Sequence, residues 1–289
     1  MFSKNFLWFH QAWGAAILSR QKVIAFSLIL FLFSGSCVDA ETPAAGLPCT
    51  RTACPARVQG LTVAAAANLQ PVLEALQGAF EKGSGVKLRM VTGSSGKLTA
   101  QIENGAPFDV FVSADTKYPE ALYKKGLSSQ PPRIYAYGIL VLWSMKDWDL
   151  SKGIFVLQDA RIKKIAVANP EVSPYGREAV KAMEYYKMDE KLAQKLVFGE
   201  SIGQTNDFIV SQSADIGFTS KSTVVSPSLK EKGVWVQVPA ESYQRIAQGA
   251  MMLRYAERHH PEAASEFYHF LFSPEAKAIF KKYGYTTDE

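Results

Sequence analysis

The chain has 289 residues, of which 47% are hydrophobic and 20% charged, so it is long enough for one large or two ordinary globular domains. Its formal net charge is +5, and the absence of a basic cluster or of interleaved basic and aromatic residues argues against nucleic acid as a partner. The apolar run at residues 23–33 is short for a membrane span.

The first 40 residues have the layout of a secretory signal peptide. Arg20 and Lys22 precede the apolar run, and small residues lead to a cleavage site after Ala40. Cleavage there removes three basic side chains and one acidic one, which leaves a formal charge of +3. Lipid attachment at Cys37 is an alternative, disfavoured by the serine three residues earlier, where a lipobox usually has leucine. We therefore predict an exported, periplasmic protein whose signal peptide is residues 1–40.

Two cysteines remain after this cleavage. Cys49 and Cys54 lie in residues 41–57, a stretch rich in Ala, Pro and Thr that is typical of an N-terminal tail. An even, close pair in an oxidising compartment usually forms a disulfide. A metal site would need further ligands, and the histidines of the mature chain all lie within residues 259–269. We expect a local Cys49–Cys54 disulfide outside the functional site.

From residue 61 onwards, strand and helix patterns alternate. Buried strands are predicted at residues 61–67, 86–91 and 108–112, and helices are predicted after Asn68, after the turn at 93–97 and from Ala114-Asp115 to Gly126. Apolar residues on both faces of the strands favour a parallel sheet covered by helices. This alternation of strands and helices predicts a doubly wound α/β lobe, in which ligands bind beyond the carboxyl ends of the strands.

Polar residues follow two of these strands. Asn68 comes directly after the first strand, and Gly93-Ser94-Ser95-Gly96-Lys97 follows the second, with Ser94 or Ser95 suited to cap the next helix. A Gly/Ser turn at a helix N-terminus can bind an anion through unpaired N–H groups and the helix dipole. The turn is not a nucleotide-binding P-loop, because only two residues separate Gly93 from the Gly-Lys pair. We expect Lys97 itself to face solvent.

The second half of the chain repeats the alternation. Residues 134–144 are long for one strand and are interpreted as a segment crossing to a second lobe, and residues 246–253 as a segment crossing back. Between them, strands are predicted at 165–168, 196–198, 214–219 and 234–238, with two helices; two more helices follow at 262–272 and 274–283. The sequence thus predicts lobe 1 at 58–134 plus 245–289 and lobe 2 at 135–244, each a mainly parallel sheet flanked by helices.

Several blocks, in order, resemble one known family. They are residues 63–69, 93–98, 101–111, 113–115, 168–170, 174–176, 214–218 and 283–285. Over residues 60–285 the chain resembles the periplasmic molybdate-binding, ModA-like proteins of ABC import systems. The resemblance implies a two-lobed periplasmic binding protein of the type 2 flytrap class, which takes molybdate, and also tungstate, in a cleft between lobes and delivers it to a membrane permease.

The resemblance also implies the ligand residues. Carried over by position, the donors to the oxyanion are Asn68 (side chain or amide), Ser95 (hydroxyl and amide) and the backbone amides of Tyr175 and Ile202, with Ala67 adding its amide and Ser220 at a position where some members have Tyr. A tyrosine hydroxyl reaches farther than a serine hydroxyl, which weakens the assignment of Ser220. Neutral donors at helix ends suit a dianion, and discrimination from sulfate would come from cavity size.

Two other readings stay open from the residues. The same cleft could bind another tetrahedral oxyanion, sulfate or phosphate. An exported ester hydrolase would need a nucleophile with a base or a metal cluster, and Ser95 has no evident basic partner in the sequence. We therefore expect a monomeric binding protein without enzyme activity or cofactor.

Overall fold

The computed structural model describes residues 60–288, which form two five-stranded sheets with helices packed against them. The strands are β1 (Leu61–Ala66), β2 (Leu88–Gly93), β3 (Val110–Val112), β4 (Arg133–Gly138), β5 (Leu140–Ser144), β6 (Ile165–Ala168), β7 (Leu196–Gly199), β8 (Ile216–Ser220), β9 (Val234–Gln237) and β10 (Ile246–Met252). The α-helices are α1 (Gln70–Ser84), α2 (Ser95–Glu103), α3 (Lys117–Lys124), α4 (Pro174–Tyr185), α5 (Asp189–Leu192), α6 (Ile202–Val210), α7 (Lys221–Val224), α8 (Arg254–His259), α9 (Pro261–Phe270) and α10 (Pro274–Lys282). Short 3₁₀ helices cover Ala67–Leu69, Leu150–Gln158, Ala193–Lys195 and Ala240–Ser242.

The two sheets have the same layout. Lobe 1 is built on the strand order β2-β1-β3-β10-β4, and lobe 2 on β7-β6-β8-β5-β9. In lobe 1, β1 is parallel to β2 and β3, whereas β10 is antiparallel to β3 and β4, so four strands run one way and β10 the other. In lobe 2, β6 is parallel to β7 and β8, and β5 is antiparallel to β8 and β9, which repeats the pattern. The expected two-lobed α/β fold with mainly parallel sheets is confirmed.

The chain crosses between the lobes twice. β4 ends at Gly138 in one sheet and β5 begins at Leu140 in the other, so the long apolar segment expected at 134–144 does cross, but as two strands. The break at Ile139 arises because each half pairs with a different sheet. After β9, a 3₁₀ turn leads into β10, which returns to lobe 1.

The core of lobe 1 shows why the C-terminus belongs there. Every residue of β1 is buried, as a strand covered on both faces requires. Phe80 of α1 packs edge-on against Phe267 of α9, with ring centroids 5.1 Å apart, and Phe280 of α10 is buried in the same cluster. The last two helices therefore cover the sheet of lobe 1, although they follow lobe 2 in the sequence.

Some element boundaries differ from those expected. The second strand occupies 88–93 rather than 86–91, because Gly85 ends α1 in a left-handed conformation (φ 74°) and pairing with β1 starts at Leu88. The third helix begins at Lys117, since Asp115 bonds the N–H of Tyr118 from a preceding turn. The short helices α5, α7 and α8 were not predicted.

Three predictions lie outside the described residues: the signal peptide at 1–40 with the alternative at Cys37, the tail at 41–57, and the Cys49–Cys54 disulfide. Within residues 60–288, the structure contains no helix that is long and apolar enough to cross a membrane.

Candidate functional site

Four helix N-termini converge on one small cavity between the lobes. The 3₁₀ helix after β1 and helix α2 after β2 come from lobe 1, and α4 after β6 and α6 after β7 come from lobe 2. The cavity has a volume of about 10 Å³, far below the roughly 300–1,000 Å³ typical of sites for drug-sized molecules. It is lined by Ala66, Ala67, Asn68, Gly93, Ser94, Ser95, Ala114, Ser173, Pro174, Tyr175 and Ile202.

The lining favours an anion without carrying a countercharge. None of these residues, all within 60–288, has a charged side chain. The first N–H groups of a helix have no intrahelical acceptor, and the helix dipole places partial positive charge there. Because four such ends face one space, N–H donors approach it from both lobes. The arrangement can bind a small anion mainly through hydrogen bonds that the protein donates.

The structure brings five of the six predicted ligand residues together at this cavity. They are Ala67, Asn68, Ser95, Tyr175 and Ile202. Ser220 does not line it: its fully buried hydroxyl lies at the start of α7, bonded to the hydroxyls of Ser222 (2.8 Å) and Thr223 (3.0 Å). Since Ser222 in turn donates to the backbone oxygen of Asn68 (2.9 Å), the short Ser220 side chain lies behind the cavity wall.

Ser95 lines the cavity, and its hydroxyl oxygen is hydrogen-bonded to the backbone. Its Oγ accepts the N–H of Ala114 at 3.0 Å, and the residue is only 1% exposed. The neighbouring Ser94 is the N-cap of α2, with its Oγ accepting the N–H of Lys97 at 3.4 Å. One acceptor position of the Ser95 oxygen is thus filled by protein, while its proton remains available to a ligand.

Asn68 has its side-chain donors occupied. Nδ2 donates to Gln248 Oε1 (3.0 Å) and to Tyr285 Oη (3.1 Å), and the Tyr285 hydroxyl donates back to the Asn68 backbone oxygen (2.8 Å). Oδ1 is buried without a hydrogen-bond partner among residues 60–288. The backbone N–H, at the second position of the 3₁₀ helix, is therefore the donor that Asn68 has left for a ligand.

The two predicted ligand residues of lobe 2 lie in the first turns of their helices. Tyr175 follows Pro174 at the start of α4, and Ile202 is the first residue of α6, after the N-cap Ser201. The Tyr175 side chain points away into a polar cluster, where its Oη accepts from Gln248 Nε2 at 3.1 Å. Burial raises the pKa of Tyr175 well above that of a free tyrosine, so the phenol stays protonated.

The residues behind the cavity, above all Gln248, Ser222 and Tyr285, were not predicted to belong to the site. They tie Asn68 to β10, to α7 and to the C-terminal segment. One signal was available: Gln248 is a polar residue in the middle of an apolar stretch that was assigned to a buried strand.

Contacts between the lobes surround the cavity. Gly96 donates its N–H to the Val172 oxygen (2.9 Å), and Tyr118 donates its hydroxyl to the Glu171 oxygen (2.9 Å). A Cβ on Gly96 would lie 2.8 Å from Tyr118 Oη and 2.9 Å from Val172 Cα, so glycine permits this close approach. The lobes are thus closed on one another at this edge.

Two ion pairs cross the same edge. Arg177 of α4 pairs with Asp115, a partly buried carboxylate; burial raises the pKa of Asp115, and the Arg177 charge opposes that shift. Lys97 pairs with Glu200, and their side chains are 48% and 67% exposed. Lys97 therefore lies on the surface as expected and does not line the cavity.

The site does not resemble a metal centre or a hydrolase site. Within residues 60–288 no group of three or more His, Cys, Asp or Glu side chains is placed to hold a metal ion. Ser95 Oγ is bonded to a backbone N–H rather than to a histidine or carboxylate. Nothing in this geometry activates the serine as a nucleophile.

Comparison with known proteins identifies the family. A family profile described as "Bacterial extracellular solute-binding protein" matches residues 61–286. The molybdate-binding protein ModA of Azotobacter vinelandii is 36% identical over 234 residues, covering 81% of this chain and 92% of that protein. ModA of Rhodobacter capsulatus is 34% identical over 238 residues, covering 82% and 92%. The solved structure of the Azotobacter vinelandii periplasmic molybdate-binding protein aligns with a TM-score of 0.75 and 34% identity, over 79% of this chain and all of that one. The chain therefore belongs to the bacterial extracellular solute-binding protein family, among its ModA-like members.

Proposed function

We propose that this protein captures molybdate, and also tungstate, in the cleft between its lobes and delivers the ion to the permease of an ABC importer. One observation carries the proposal: four helix N-termini, two from each lobe, meet at a small cavity whose lining is uncharged. The names of the two ModA relatives support molybdate as the ion.

The ion would be held by neutral donors. These are the backbone N–H groups of Asn68, Ser95, Tyr175 and Ile202 and the hydroxyl of Ser95, with the N–H of Ala67 as a further donor. Hydrogen bonds to an anion are stronger than those between neutral groups, and they strengthen further where water is excluded. Because the donors come from both lobes, the ion itself would draw the lobes together, and the crossing pairs Arg177–Asp115 and Gly96–Val172 would close the entrance.

The protein would act outside the cytoplasm as a receptor without enzyme activity. Export would depend on the signal peptide at residues 1–40, with cleavage after Ala40. We expect the mature chain to be a monomer, because one pair of lobes supplies the complete donor set. Delivery would require the lobes to open against the membrane permease.

Hydrogen phosphate is the second candidate ligand, favoured by a single feature. The buried Oδ1 of Asn68, a residue that lines the cavity, is an acceptor without a partner among residues 60–288. A monoprotonated oxyanion could donate its hydroxyl to that atom, whereas molybdate and sulfate dianions offer no proton. The two classes of ion are therefore separable by experiment.

Thermal unfolding of the purified protein with molybdate, tungstate, sulfate or phosphate tests the proposal. An ion at about 100 times its dissociation constant should stabilise the fold by about 2.7 kcal/mol, which raises the melting temperature by several degrees. We expect that shift with molybdate and tungstate but not with sulfate or phosphate. A shift with phosphate alone would replace the proposal by the second candidate, and no shift with any of the four would refute both.

A further inference from the structure

Gln248 lies between ligand residues of the two lobes without lining the cavity. It is fully buried in β10. Its Oε1 accepts from Asn68 Nδ2 of lobe 1 (3.0 Å), and its Nε2 donates to Tyr175 Oη of lobe 2 (3.1 Å). Tyr135 also donates to Oε1, at 2.6 Å. A single amide thus joins the segment after β1 to the N-terminus of α4.

The backbone is shaped to allow this arrangement. The pairing of β10 with β4 shifts between Gln248 and Gly249, which leaves Tyr135 as the extra residue on β4. Gly138, at the end of β4, faces the Tyr175 hydroxyl and Gln248 Nε2, and a Cβ there would overlap the hydroxyl. The bulge and the glycine together let the tyrosine reach the amide.

We propose that Gln248 is a positioning residue for ion binding, which holds Tyr175 and Asn68 in the correct positions relative to each other when the lobes close. The inference rests on the proposed function and adds a residue that donates nothing to the ion. Its bond to Asn68 lies within lobe 1 and orients that residue before the ion arrives. Its bond to Tyr175 joins the two lobes and stabilises their closed arrangement.

The two bonds have different consequences for binding. Since the Gln248–Tyr175 bond crosses between lobes, it contributes to the closed form and would break when the lobes separate. Removing it therefore shifts the equilibrium towards the open form and lowers the apparent affinity. Because the ion leaves from the open form, most of the loss should appear in the dissociation rate.

Tyr175→Phe isolates this bond. The substitution keeps the aromatic ring and the Tyr175 backbone N–H that would bind the ion, and it removes only Oη. Losing one buried hydrogen bond of the closed form should weaken molybdate binding by about tenfold. Tyr137→Phe is the matched control: it removes a hydroxyl from β4 that bonds to Asp288, away from the cavity.

The measurements are molybdate affinity by calorimetry, release by stopped-flow fluorescence and the radius of gyration by small-angle X-ray scattering. We expect Tyr175→Phe to release molybdate about tenfold faster and to need more ion for compaction, with Tyr137→Phe like the wild type. Gln248→Leu should weaken binding further, and adding Tyr175→Phe to it should change little, because both remove the same bond.

Two results would overturn the inference in distinguishable ways. If the wild type binds molybdate and Tyr175→Phe releases it at the wild-type rate, Gln248 has no positioning role and the proposed function stands. If the wild type binds none of molybdate, tungstate, sulfate and phosphate, the proposed function fails and the inference falls with it. Should Gln248→Leu not fold, Tyr175→Phe alone decides.

Discussion

Replacing Ser95 by alanine removes one atom with two separate roles. The Ser95 oxygen accepts the N–H of Ala114 at 3.0 Å, a bond within lobe 1 that does not involve the ion. Its hydroxyl proton is the part directed to the ligand in our proposal. The first role affects the stability of the free protein, and the second affects affinity, so the two can be measured separately.

The structure sets the size of each effect. Ser95 is 1% exposed, so the N–H of Ala114 left without an acceptor should lower the free energy of unfolding by about 1–3 kcal/mol. A hydrogen bond to a charged ligand contributes about 1.5–3 kcal/mol, which corresponds to a roughly 10- to 150-fold higher dissociation constant for molybdate. Calorimetric titration with molybdate gives the affinity, and urea unfolding without the ion gives the stability.

Ser144→Ala provides the matched control. Ser144 is fully buried at the end of β5 and does not line the cavity. Its Oγ accepts the N–H of Lys146 at 2.9 Å and donates to the Asp215 backbone oxygen at 2.6 Å. We expect this variant to lose stability and to bind molybdate like the wild type. The reasoning is refuted if Ser95→Ala is destabilised and yet keeps the wild-type dissociation constant.

Three further substitutions test other parts of the molecule. Gly138→Ala places a Cβ against the Tyr175 hydroxyl. The resulting overpacking, which costs about 1–3 kcal/mol, should lower the melting temperature by several degrees and weaken molybdate binding. A melting curve like that of the wild type would contradict this. Lys97→Met breaks an exposed ion pair with Glu200 that contributes at most about 1 kcal/mol. The dissociation constant for molybdate, measured by calorimetric titration, should therefore change by less than about fivefold. A larger change would place Lys97 nearer the ion. The third substitution concerns Glu81, whose pKa is lowered from 4.5 to about 2, mainly by the hydrogen bond from the N–H of Leu88 and next by that from the Lys87 side chain. The stabilising bonds of the Glu81 carboxylate are therefore present above pH 4.5 and are lost as the pH falls towards 2. Glu81→Gln should therefore unfold at lower urea than the wild type at neutral pH, and the difference should shrink between about pH 4.5 and about pH 2; a constant difference would show that Glu81 does not titrate in this way.

Much of the fold could be read from local patterns. The buried strand at 61–67 was visible because a parallel strand between two helix layers is apolar on both faces. The turn at 93–97 was visible because glycine and serine before a helical pattern mark an N-terminus. Both features depend on residues that are close in sequence, and the structure confirms both elements.

Boundaries were less accurate where pairing partners decide them. The strand expected at 86–91 runs two residues later, because its register with β1 starts at Leu88. The segment at 134–144 contains a break at Ile139 that no local pattern shows, since both halves are apolar and only the identity of the paired sheet separates them.

The sequence by itself determined that Asn68 and Ser95 follow neighbouring strands, and hence that helix-end donors should meet at one edge of a parallel sheet. The blocks shared with the ModA-like family pointed to Tyr175 and Ile202 as well, and the structure places all four at one cavity. The tertiary structure alone decided which atoms of Asn68 are free. Its side-chain amide is bonded to Gln248, 180 residues away, and its backbone oxygen to Tyr285, 217 residues away. Such pairs leave no periodic signal, because the geometry that joins them arises only when the chain has crossed to the second lobe and returned.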